Sequence, residues 1–162
     1  MKLAALVLLG VCLATGAACG KLRERQAIRK YAEGAARANG KLAALRALEA
    51  NILVVRRSGR VKRVRRFFKE KYLPAFRAYR DAVRRVATGT ARLRTIHGRY
   101  LEGIEQAYEA YASYADHVTG STLTSAWAPV RRSRERLAAV EARYRREIAS
   151  YYRKNDVKLA GE

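Results

Sequence analysis

Two histidines, two cysteines and three closely spaced glutamates are the residues of this 162-residue chain best equipped for metal or acid–base chemistry. His97 and His117 lie far apart in sequence, and neither has a second His or Cys at a metal-ligand spacing. Glu102, Glu105 and Glu109 share one helix face, but the Glu-x-x-His partner of a di-iron centre is missing. The chain contains no Gly-x-Ser-x-Gly elbow, no P-loop and no Gly-rich dinucleotide turn. His97 falls on an apolar seam and reads as a hydrogen-bonded core histidine, while the glutamates read as ion-pair partners. The expectation is a protein that is not an enzyme, with no metal and no cofactor. Cys19 is the one residue left with a chemical task.

Its surroundings define that task. Lys2 starts a positive segment, Leu3 to Leu13 is apolar, and Thr15-Gly16-Ala17-Ala18 leads into the cysteine. The apolar run is too short to span a bilayer but has the length of a signal-peptide core. Cys12 lies inside that segment, so its removal leaves Cys19 without a disulfide partner within the chain. A signal whose small residues abut a cysteine resembles the bacterial lipoprotein class. The resemblance rests on Gly16-Ala17-Ala18-Cys19, with glycine where the usual pattern has leucine. It implies that residues 1–18 are removed and that Cys19 becomes the acylated (palmitate-type) first residue of the mature chain. Residues 19–21 would then form the lipidated N-terminus. Gly20, rather than Asp, implies the outer membrane by the sorting rule of enterobacterial lipoproteins. Gly16 and Ala18 also suit ordinary signal cleavage, which would give a plainly secreted protein.

The rest reads as a single helical domain over 22–154, with a frayed tail over 155–162. Apolar residues recur in steps of three and four throughout, with no strand-like alternation. Helices are expected at about 22–56, 60–118 and 122–154, separated by Ser58-Gly59 and by Thr119-Gly120-Ser121. Pro74 should kink or start a helix. From Tyr72 to Val118 the seam keeps one phase, running straight through Gly89. That continuity predicts an all-α, elongated, antiparallel three-helix coiled-coil-like assembly, whose middle helix would measure about 88 Å at 1.5 Å per residue. The alternative is a compact four-helix bundle with a turn near Gly89. Tyr100, Tyr108, Tyr111, Tyr114 and Tyr151 are expected in the core and at its rim.

Charge is the other informative feature. Without Lys2, 34 basic residues face 14 acidic ones, a net +20. Nine of them crowd the hairpin tip between the first two helices: Arg56, Arg57, Arg60, Lys62, Arg63, Arg65, Arg66, Lys69 and Lys71, with Glu70 the one acid among them. A second run, Arg131 to Arg146, holds seven arginines. If the third helix folds back on the second, that run faces Glu102, Glu105 and Glu109, and interhelical ion pairs are expected there. The tip has no such answering segment and is the better surface for an anionic partner. Phe67 and Phe68 would add apolar insertion if they faced outward.

These readings converge on a non-enzymatic, lipid-anchored envelope protein, a helical tether or adaptor. Its partners would be the membrane through the anchor, and an anionic lipid, lipopolysaccharide or cell-wall polymer through the tip. The alternative is a periplasmic chaperone or stress protein, which a large exposed apolar concavity would favour. A surface nucleic-acid or polysaccharide binder comes third, with charge alone in its favour.

Overall fold

The computed structural model describes residues 3–157, and their side chains from residue 20 onward. The side chains of Gly16 to Cys19, and all of 158–162, lie outside the described residues. Helix α1 spans Leu3–Arg57, α2 Val61–Phe67, α3 Leu73–Arg84, α4 Ala91–His117 and α5 Ala128–Lys154. A wide π turn, Phe68–Tyr72, joins α2 to α3 without a break, and a 3₁₀ turn, Ser125–Trp127, leads into α5. The chain is therefore an up-and-down bundle of four rods, all-α as expected, with no strand among the described residues. None of its helices is long and apolar enough to cross a membrane, among the described residues.

Local chemistry explains each end. After α1, Ser58 Oγ donates to the Val55 carbonyl at 2.6 Å, and Gly59 takes φ +67°, the left-handed conformation that ends helices. In the second rod the buried residues include Val64, Phe68, Tyr72 and Phe76, spaced by fours. At 3.6 residues per turn each four-residue step drifts about 40°. The wider π turn cancels that drift, so Phe67 and Phe68 are both buried. Pro74 sits in the first turn of α3, where its missing N–H costs least.

The continuous 60–118 helix is not formed. The chain leaves helical geometry after Arg84 and re-enters at Ala91, and the four-helix bundle with its turn at Gly89 is the arrangement seen. Thr90, extended at φ −126° and ψ 155°, accepts a hydrogen bond from Leu93 N at 3.2 Å and so caps α4. Gly89 passes so close to α1 that a Cβ there would stand 2.9 Å from Ala27 Cβ. The apolar phase survives this turn because Val86 and Leu93 both remain in the core on either side of it. Two antiparallel rods facing one core can share a phase as readily as one long rod does. The longest rods behind the turn, α4 and α5, have 27 residues each, about 40 Å. Residues 155–157 are not frayed: Arg25 Nε donates to the Asn155 carbonyl at 3.0 Å, and Val157 is buried.

Tyrosine dominates the core and brings hydrogen bonds with it. Tyr31, Tyr72, Tyr79, Tyr100, Tyr111 and Tyr114 are all buried, while Tyr108 is half-buried at the rim. His97 sits among them, 3.0 Å from Tyr31 Oη and 3.0 Å from the Val83 carbonyl. A carbonyl only accepts, so Nε2 carries the proton and Nδ1 accepts from Tyr31. Tyr31 Oη in turn accepts from Tyr144, 2.7 Å away. Burial lowers the His97 pKa below its ordinary 6.5, consistent with this neutral ring. It is the satisfied core histidine the seam predicts.

Candidate functional site

The turn after α1 and the turn before α5 meet at one end of the bundle, on an aromatic platform. Phe68 packs edge-on against Tyr114 with ring centroids 5.3 Å apart, and Trp127 lies 5.0 Å from Tyr114. Phe67 and Phe68 belong to this platform and do not face outward. Three of the nine tip cations serve the fold. The Arg56 guanidinium lies 4.1 Å above the Trp127 ring, Arg65 Nε donates to the Val118 carbonyl at 3.1 Å, and Lys69 pairs with Asp116 at 2.7 Å. That hydrogen bond and its charge hold the Asp116 carboxyl below the usual range. The tip is thus not wholly unanswered, because Asp116 at the end of α4 reaches Lys69. Phase and charge counts alone did not bring these two together.

Arg57, Arg60, Lys62, Arg63, Arg66 and Lys71 are exposed and make no ion pair among the described residues. Arg131 and Arg132, near the start of α5 and just beyond Trp127-Ala128-Pro129-Val130, join the same pole. Sequence reasoning assigned these two to interhelical ion pairs, and that assignment fails. Glu105 pairs with Arg84 of α3, and Glu102 accepts from Gln106 on its own helix. In the second basic run only Arg143 and Arg145 are paired, with Glu147 and Glu141 one turn away on α5. The register is close to the expected one, and the helix face decides: Gly103, not a glutamate, faces Val140 of α5, while Glu105 lies on the flank that α3 covers, where Arg84 reaches it.

The pole therefore concentrates cations where the fold gives them no partner. Lys62, Arg63 and Arg131 also occupy the first turns of α2 and α5, where the helix dipole disfavours positive charge. Neither helix has an acidic residue in that turn. Such placement works against stability and creates a strong outward positive field. Among the described residues no cluster of His, Cys, Asp and Glu could hold a metal ion. No family model matches the chain, and no curated protein or solved structure matches it either.

Proposed function

We propose that this protein is a non-enzymatic cell-envelope lipoprotein, anchored through acylated Cys19, that uses its basic pole to hold an anionic envelope surface. One observation carries the reading: Arg57, Arg60, Lys62, Arg63, Arg66 and Lys71, all exposed and without an ion pair among the described residues, crowd one short stretch at the end of α1 farthest from Cys19. From Cys19 to Arg57 the chain is continuous helix, so the two are about 57 Å apart along the axis. A pole at that distance reaches away from its own anchoring membrane toward a facing polymer, lipopolysaccharide or lipid layer. Cleavage before Cys19 would leave the lipid six residues short of Arg25, where the bundle closes on the C-terminus. The rod then stands directly on its anchor without a flexible spacer. The chaperone alternative gains little support from the outer surface, where among the described residues Leu22 and the adjacent pair Leu53 and Val54 are the exposed large apolar side chains, at opposite ends of the described part of α1.

The test compares two charge-neutralised sets in sedimentation with anionic vesicles and lipopolysaccharide across a salt series. Glutamine at Arg57, Arg60, Arg63, Arg66, Arg131 and Arg132 should abolish salt-sensitive binding, since each basic residue near an anionic surface contributes roughly 1 kcal/mol. Glutamine at Arg85, Arg92, Arg94 and Arg153, at the opposite end, should leave most of it. Equal losses from both sets would mean a diffuse field and would defeat the assignment to the pole. Intact mass of the membrane-extracted protein checks the anchor, because an unmodified 19–162 mass would remove it.

A further inference from the structure

The bundle is not closed all round. α1 packs on α3, α3 on α4 and α4 on α5, but the α1 and α5 backbones hardly approach each other. Long side chains bridge them instead, Tyr31 to Tyr144 at one level and Arg46 to Glu141 at another. Between these bridges lies a cavity of about 660 Å³, walled by Ala35, Ala38, Leu42 and Ala43 of α1 and floored by Val83 and Tyr100. That volume falls within the roughly 300–1,000 Å³ usual for small-molecule sites. It runs into a second hollow of about 190 Å³, which shares Leu42, Arg46 and Glu141 and continues to Arg134 and Tyr111. From Ala35 to Arg46 the α1 wall is about 16 Å long, apolar at Ala35, Ala38, Leu42 and Ala43 and polar at Asn39 and Arg46.

The second hollow contains an unmet polar group. Tyr111 is 2% exposed, and its hydroxyl has no hydrogen-bond partner among the described residues. The Tyr72 ring lies 4.6 Å away, and its hydroxyl, which donates to Glu49 at 3.2 Å, is the nearest acceptor for the Tyr111 proton, so a ligand's acceptor competes with it. A buried hydroxyl without a well-formed hydrogen bond is destabilised, so a ligand acceptor aligned with Tyr111 gains from supplying one. The charges around it are Arg46, Arg134 and Arg145 against Glu49 and Glu141. Glu141 is held by Arg46 and Arg145, and Glu49 by Tyr72, whereas Arg134 is exposed and unpaired. The site has one cation and one donor in excess.

We propose that the cleft between α1 and α5 binds a single-chain anionic amphiphile, with its alkyl chain along the alanine wall and its carboxylate or phosphate at Arg134 and Tyr111. A cleft with one apolar wall suits one acyl chain, and the surplus cation and the Tyr111 hydroxyl suit a monoanionic head. This site is separate from the basic pole and does not depend on the anchor.

The experiment titrates the purified, detergent-depleted full-length protein with four probes by calorimetry. Palmitate and palmitoyl lysophosphatidate represent the two sources of the anion, and hexadecanol and hexadecyltrimethylammonium remove or reverse the charge. One equivalent of each anionic probe should bind, with hexadecanol about tenfold weaker, the equivalent of about 1.4 kcal/mol. Ala43→Trp, at the exposed edge of the wall, should fill the cleft and weaken the anionic probes by at least about tenfold with its melting temperature unchanged. Ala35→Phe provides the same obstruction from the other end if the tryptophan variant does not fold. Tyr111→Phe should weaken the anionic probes more than hexadecanol, whose uncharged oxygen accepts a weaker hydrogen bond, a split that a purely structural tyrosine would not produce. Absence of saturable anion binding, equal binding of the neutral or cationic probe, or full affinity in both obstructed variants would each overturn the proposal.

Discussion

Replacing Tyr31 by phenylalanine isolates the polar network at the centre of the core. The side chain is 0% exposed, and its hydroxyl links Tyr144 to His97 Nδ1 at 2.7 and 3.0 Å. Phenylalanine keeps the ring and its edge-on contact with His97, whose centroid lies 5.5 Å away. Two hydrogen bonds vanish, each contributing about 1 kcal/mol net. Nδ1 then becomes a buried acceptor with no donor, whereas the half-buried Tyr144 hydroxyl can turn to water. We expect a loss of about 2 kcal/mol, which in a domain of this size lowers the melting temperature by roughly 4–8 °C. Urea unfolding followed by circular dichroism should show an earlier midpoint with an unchanged slope, because the surface exposed on unfolding stays the same. Tyr108→Phe, at the half-buried rim, should remain within about 0.5 kcal/mol. Combining Tyr31→Phe with His97→Leu should cost less than the two singles added, since the second change removes the orphan the first creates. A cost for Tyr31→Phe below about 0.5 kcal/mol, or strict additivity with His97→Leu, would refute the hydrogen-bond chain.

Two further outcomes follow from the same bundle. Burial lowers the His97 pKa from 6.5, so the unfolded chain takes up a proton before the folded one. The corresponding stability is complete above pH about 6.5 and falls as the pH drops below it. His97→Leu should flatten that part of the profile in acid titrations monitored by unfolding. Asp116 and Glu147, held below their usual values by Lys69 and Arg143, lose their contribution only at lower pH. Gly89→Ala places a Cβ 2.9 Å from Ala27 Cβ, and should cost about 1–3 kcal/mol by thermal melting as the turn shifts off α1. Gly98→Ala, which meets nothing within 4 Å on the open face of α4, should instead stabilise by several tenths of a kcal/mol.

The helices were legible because helical periodicity is local. The spacing of Ile28, Tyr31, Ala38, Leu45 and Ile52 in steps of three and seven marks a buried face whatever lies opposite, and all five are buried. Ser58-Gly59 marks a turn through backbone sterics alone. Charge density is equally local, so the chain itself pointed to the Arg56–Lys71 tip. Periodicity does not say whether one rod continues or two rods share a core, and it hid the turn at Gly89, which only the contact with Ala27 explains. Pairing between charges depends on which helix faces meet, with Gly103 against Val140, and on which flank α3 covers. Hence Lys69 found Asp116 and Glu105 found Arg84, while Arg131 and Arg132 were left with the free cations of the pole. The buried hydroxyl of Tyr111 and the cleft above it exist only because α1 and α5 stand apart, a spacing fixed by the whole bundle and written in no single helix.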